Sequence, residues 1–184
     1  MPTHRQLSFI AEISSQGADL NLLETLLGKP AKVILPGTGG GVFSGRFNER
    51  DDSHLLCHQA ASVPQRPMKV YFRHTDKGYT LSVHSPGNHF GKCLCRDDNG
   101  AIAVYRPEDV TPSYFEMVGP QGEITLTDKP INPLICLLRE RSSGKCLHRQ
   151  RRHDSKHMYL FAKHDQFLPI RINILEYKNE PDEG

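Results

Sequence analysis

Apolar and polar residues alternate along most of this chain in short runs bounded by turn-forming residues. The clearest runs are "MKVYFRH" from Met68, "LSVHS" from Leu81, "AIAVYRP" from Ala101, "SYFEMVG" from Ser113, "LICLLR" from Leu134, "HMYLFAK" from His157 and "LPIRINILEY" from Leu168. Their period of two, rich in β-branched and aromatic side chains, predicts strands. The N-terminal segment reads differently. "DLNLLETLLG" places Leu20, Leu23 and Leu27 on one stripe with Leu22 and Leu26 beside it, Asp19 as a cap, and Gly28 as the stop before Pro30. That spacing predicts a short helix, and "LSFIAEI" from Leu7 to Ile13 adds another turn or two. The expected organisation is therefore a helical extension over 1–30, a strand domain over 31–178 and a mobile acidic tail over 179–184.

The strand region repeats itself. "GKCLCRD" from Gly91 and "GKCLHRQ" from Gly144 share four letters, and "SHLLCHQ" from Ser53 reads as a degenerate third copy. Counting back ten positions from each lands on Leu81, Leu134 and Phe43, each opening a strand-like run, although "KVIL" from Lys32 to Leu35 competes as the first strand. Units of this length cannot each bury an apolar face, so they must close on one another. Leu56, Leu94 and Leu147, at one position of the motif, are expected to occupy related buried positions in the three units.

This pattern, from about Lys32 to Tyr177, resembles the β-trefoil superfamily. Its fascin-like and growth-factor-like members carry a glycine, a basic residue, an aromatic and a leucine at the second strand. The resemblance implies an all-β fold, a β-trefoil of three four-stranded repeats, here with a short N-terminal helical extension. The ricin-type branch carries a Q-x-W signature, and this chain contains no Trp. The soybean-type inhibitor branch has a disulfide framework that is not evident here.

Composition narrows the class. The chain has 184 residues, with 37% hydrophobic and 24% charged, 15 Gly and 13 Pro, which suits one turn-rich domain with a single core. A net charge of +2 makes it no polycation, so affinity for an acidic partner has to come from uneven distribution. No apolar stretch is long enough to span a membrane and no signal peptide is recognisable, so cytoplasmic synthesis is expected, with non-classical export left open. Five cysteines, Cys57, Cys93, Cys95, Cys136 and Cys146, are an odd number in a chain of this length and are expected to be free thiols.

Three chemistries can be drawn on these residues. Cys57, Cys95 and His148 fall at one position of the aligned motif and have the softness zinc prefers, although no CxxC or HxxxH spacing accompanies them. Cys57 beside His58, or Cys95 with Arg96, could form a nucleophile and its activating neighbour. The glycine-rich "PGTGGGVFSG", Pro36 to Gly45, lacks the lysine of a phosphate loop and cannot carry G-x-G-x-x-G, so no cofactor is expected. The strongest charge asymmetry lies between Arg139 and Lys163, where eight basic residues face only Glu140 and Asp154. Lys145, Arg149, Arg151, Arg152 and Lys156 cluster there on a turn between two strands. No RNP, KH or zinc-finger pattern accompanies them, which argues against nucleic acid. The expected function is a non-enzymatic recognition module binding a protein surface or an anionic polysaccharide through this hairpin. A lectin without Q-x-W and a cysteine-dependent enzyme are the alternatives.

Overall fold

Phe9, Ala11 and Ile13 recur every second residue, and an extended strand puts all three on one face. The computed structural model describes residues 2–15, 18–35, 49–59, 67–126 and 131–177, and in it Phe9–Ser15 (β1) is such a strand, its three alternating side chains buried in the main core. This corrects the expected helical extension over 1–30. Helix is confined there to His4–Leu7 (α1), capped by Thr3, and Leu23–Leu27 (α2), which Gly28 ends in the left-handed region. Between them Ala18–Leu22 (β2) is a strand, so Asp19 caps nothing and the leucine stripe divides. Leu20 and Leu22 enter the main core while Leu23 and Leu26 join a second cluster. Pairing decides the outcome: β2 lies antiparallel to Leu56–Gln59 (β3), with Leu20 opposite His58 and Leu22 opposite Leu56. That ladder satisfies buried backbone groups, whereas a helix this short is not stable on its own.

The remaining strands follow the expected runs: Met68–Thr75 (β4), Gly78–Val83 (β5), Cys93–Arg96 (β6), Ile102–Tyr105 (β7), Phe115–Gly119 (β8), Leu134–Glu140 (β9), His148–Arg151 (β10), Met158–Phe161 (β11) and Ile170–Tyr177 (β12). Six strands close into an antiparallel barrel. Phe9 of β1 faces Phe72 of β4, Phe72 faces Leu81 of β5, and Tyr79 faces Phe115 of β8. Met117 then faces Leu138 of β9, Cys136 faces Ile170 of β12, and Ile172 faces Ile13 of β1. Within the barrel Phe9 and Phe72 stack with centroids 4.6 Å apart, and the Tyr79 ring meets both edge-on, an arrangement aromatic quadrupoles favour.

The other six strands form three antiparallel pairs, β2 with β3, β6 with β7 and β10 with β11. These pairs touch one another at Leu55 opposite Ala103, Ala101 opposite Phe161, and Tyr159 opposite Cys57. Leu56, Ile102 and Leu160 point into the main core, fully buried. Their neighbours Leu55, Cys57, Ala101, Ala103, Tyr159 and Phe161 point the other way and form the second cluster, which Leu23, Leu26 and Ala31 cover. The α2 segment thus lies over the outer face of the three pairs, inserted between β2 and β3. "KVIL" is not a barrel strand: Lys32–Ile34 pairs with Glu49–Asp51 in a separate small sheet.

Leu56, Leu94 and Leu147 are all buried, at 1%, 2% and 2% exposure, yet they do not share one place. Leu56 lies on the second member of its pair, whereas Leu94 on β6 and Leu147, just before β10, lie on or beside the first. On the pair that holds Leu56, the buried leucine of the first strand is Leu20 of β2. Gly91 and Gly144 adopt φ of 79° and 68°, and the space a side chain's first carbon would take is open at both; glycine is needed there for the left-handed backbone, not for room. "FSGRF" from Phe43, the glycine-rich Pro36 to Gly45 and the tail 179–184 lie outside the described residues.

Leu20→Ala, Leu94→Ala and Leu147→Ala should each destabilise the fold by about 2–5 kcal/mol through the cavity left behind. Ile135, at 60% exposure, provides the control: Ile135→Ala should stay within about 0.5 kcal/mol. Urea unfolding of the four variants measures both.

Candidate functional site

The basic hairpin separates into anchored and free charges. Arg152 belongs to the first group. Its guanidinium lies over the rings of Tyr159 and Phe161 at 5.1 and 5.4 Å and 3.7 Å from Asp52 Oδ1. Asp52, with a side chain only 1% exposed, also accepts from Arg50 Nε at 2.7 Å and from the Tyr159 hydroxyl at 2.5 Å. Arg50 reaches on to Asp154 with Nη1 and Nη2 at 2.7 and 3.0 Å. Two carboxylates on one guanidinium hold Asp154 below the usual carboxylate range and raise Arg50 further still. Tyr159 is pushed up, first by burial and then by its bond to Asp52. This network ties the turn after β10 to the segment before β3. It removes Arg152 from the set of ligand-binding residues expected from sequence. Lys145 is occupied as well, donating to Asp165 at 2.5 Å on the surface.

Arg149, Arg151 and Lys156 remain. All three are exposed and none forms an ion pair with a described residue. Arg149 and Arg151 leave the same side of β10, about 6.8 Å apart along the strand, and β10 ends the path of the sheet. Lys156 lines a groove of about 410 Å³ together with Lys29, Lys32, His157 and the apolar Leu27 and Val33. Of these cations Lys32 lies 3.7 Å from Glu49. His157 titrates below its ordinary range, chiefly from burial and then from the charge of Lys156. Sequence reading missed Lys29 and Lys32 because they precede the hairpin by more than a hundred residues; only the fold of α2 onto the second cluster brings them beside Lys156.

Four of the five thiols are moved away from activation. Burial pushes Cys93 and Cys136 each up to about 12, and Cys57 and Cys146 in the same direction. A nucleophilic thiolate requires the opposite shift. Cys57 with His58 fails further, since neighbours on β3 face opposite sides. The set Cys57, Cys95 and His148 also changes. Cys57 lies on β3, opposite Asn21 of β2, and it is Asn21 that corresponds to Cys95 of β6 and His148 of β10. Among the described residues no group of three or more His, Cys, Asp or Glu is disposed to hold a metal ion. His148 holds the carbonyl of Cys146 through Nδ1 at 3.1 Å, while its Nε2 is buried without a partner among the described residues. No described helix is long and apolar enough to cross a membrane.

Two consequences are measurable. Arg152→Ala should destabilise by about 1–3 kcal/mol, because it uncovers two rings and withdraws a charge from a buried carboxylate, whereas Arg151→Ala should stay within about 0.5 kcal/mol. Acidification should also weaken the fold. Burial lowers the folded-state affinity of His54, His58, His74 and His157 for protons relative to the ordinary 6.5. Below that pH the unfolded chain binds more protons than the native one, so stability is complete above it and declines as pH falls. Denaturation midpoints from pH 7.5 down to about pH 5 should therefore decrease steadily, and a flat or rising profile would contradict this assignment.

No family model, curated protein or solved structure matches the chain.

Proposed function

We propose that the barrel with its three strand pairs is a β-trefoil of three four-stranded repeats, acting as a non-enzymatic recognition module for an anionic polysaccharide. The repeat reading is supported by the cyclic way the pairs meet. Leu55, Ala101 and Tyr159 each face a residue of the next pair, namely Ala103, Phe161 and Cys57, so every unit gives one position to each neighbour. The reading uses no thiol, since all four with a resolved shift are moved away from reactivity.

One observation carries the ligand class: Arg149, Arg151 and Lys156 stay exposed without an ion-pair partner among the described residues, while Arg152 is engaged by Asp52 and Lys145 by Asp165. Unpaired cations along a strand edge, continued by Lys29 and Lys32 around a groove, match a linear ligand with repeated negative charge. A tight protein interface draws instead on an apolar, aromatic centre, and the groove round Lys156 is lined by three lysines and by no Phe, Tyr or Trp.

The test is retention on immobilised heparin. Retention of the wild type should fall steeply with salt, since exposed charges are screened beyond a Debye length of about 8 Å near physiological ionic strength. Replacing Arg149, Arg151 and Lys156 together with serine should abolish retention and leave the unfolding midpoint nearly unchanged. Lys145→Ser should have little effect. Retention should rise as pH falls through the range of the His157 imidazole in the groove, which burial sets below the ordinary 6.5, because a bound anion favours its protonated form. Equal retention of wild type and triple variant at low salt refutes the proposal.

A further inference from the structure

Beside the first half of α2, a cavity of about 580 Å³ opens between α2, the start of β4 and the turn that follows β5. This is within the range that holds small organic ligands. Its polar wall is organised by a chain of three side chains. Lys92 Nζ lies 3.2 Å from His89 Nδ1, and His89 Nε2 lies 2.9 Å from Glu24 Oε2. An ammonium can only donate, so His89 Nδ1 accepts and its Nε2–H donates to Glu24. Lys92 thereby sets the tautomer of His89, and His89 holds the carboxylate still.

Three hydrogen-bonding groups at this wall remain unmatched among the described residues. Glu24 Oε1 accepts from none of them. Asn21, only 5% exposed, uses its Oδ1 on the backbone N–H of Leu22 and leaves its amide NH2 unmatched. The Lys69 ammonium is unmatched too, while its backbone N–H donates to Ser85 Oγ at 2.8 Å and frees that hydroxyl to donate. Leu22 and Val83 supply apolar wall.

An anion would meet the carboxylate of Glu24, and a cation the ammonium of Lys69. A neutral hydroxyl donates to one and accepts from the other, and adjacent hydroxyls on a ring with an apolar face satisfy both with the wall behind them. We infer that this cavity is a binding site for a neutral saccharide, one or two rings in size, with Glu24, Lys69 and Asn21 as its ligand-contacting residues and His89 and Lys92 as positioning residues. The site is separate from the basic face and does not depend on it.

The full chain would be titrated with methyl glycosides of glucose, galactose, mannose and N-acetylglucosamine while the His89 ring resonances are followed by NMR. At least one glycoside should shift them saturably. Glu24→Gln keeps an acceptor for the His89 N–H and should weaken that glycoside by about tenfold. Lys92→Met should weaken it and displace the His89 nitrogen resonances in the free protein, with Lys92→Arg restoring both. Heparin retention should be unchanged in these variants, and glycoside binding unchanged in the Arg149, Arg151 and Lys156 triple variant. The inference is overturned if no glycoside shifts His89, if Glu24→Gln binds as well as wild type, or if inorganic sulfate produces the same saturable shift.

Discussion

Closure of the barrel by β1 is the constraint on which the rest of the structure depends. Without that strand, β4 and β12 would each present a row of unpaired backbone groups, and an open edge both costs stability and invites other strands. Phe9, Ala11 and Ile13 pair on one side with Phe72, Val70 and Met68 and on the other with Tyr177, Ile174 and Ile172. The first strand of the chain therefore joins the last, and the loop enclosed is nearly the whole sequence. Its closure carries a large entropic cost that only the collective burial of the core offsets.

From closure follows the second layer. Three strand pairs meeting in a triangle bury one face against the barrel and leave the other apolar, where Tyr159, Phe161, Leu55 and the small Ala101, Ala103 and Cys57 collect. That outer face needs a cover, and α2 with Ala31 supplies it. The cover is held by backbone bonds from Leu23 and Glu24 to the carbonyls of Leu55 and Ser53, and by Asp52, whose backbone N–H donates to the carbonyl of Ala31. Asp52 cannot remain charged and buried without partners, which explains why Arg50, Arg152 and the Tyr159 hydroxyl converge on it. Arg152, conspicuous in sequence as part of a basic cluster, is recruited by this need.

The same cover shapes both candidate surfaces. The start of α2 borders the cavity at Glu24 and His89 and its end borders the lysine groove, so a single short insertion between β2 and β3 shapes both. Arg149 and Arg151 also charge the edge strand β10, and charge on an edge discourages strand addition by another chain.

The local pattern by itself determined the all-β class and nearly every strand after Met68, because alternation and β-branching are properties of neighbouring residues. It also determined the helix stop at Gly28 and the turns at Gly91 and Gly144. It misread Phe9–Ser15 and Ala18–Leu22, where runs of leucine, isoleucine and alanine fit either period and only pairing with Met68–Thr75, Ile170–Tyr177 and Leu56–Gln59 selects the strand. The same ambiguity set "SHLLCHQ" beside the two GKCL runs, although Leu56 lies on the second strand of its pair, and so assembled Cys57 with Cys95 and His148. At the candidate site Arg149, Arg151 and Lys156 were legible as exposed charge, since turn-rich basic runs rarely bury. That Arg152 stacks on two rings, that Lys145 meets Asp165, and that Lys29, Lys32, Glu24 and His89 stand where they do was decided by tertiary structure alone. Apart from the stacking of Arg152, which is made within one hairpin, these depend on contacts between residues distant in the chain, and local propensity holds no information about which distant partner a side chain will meet.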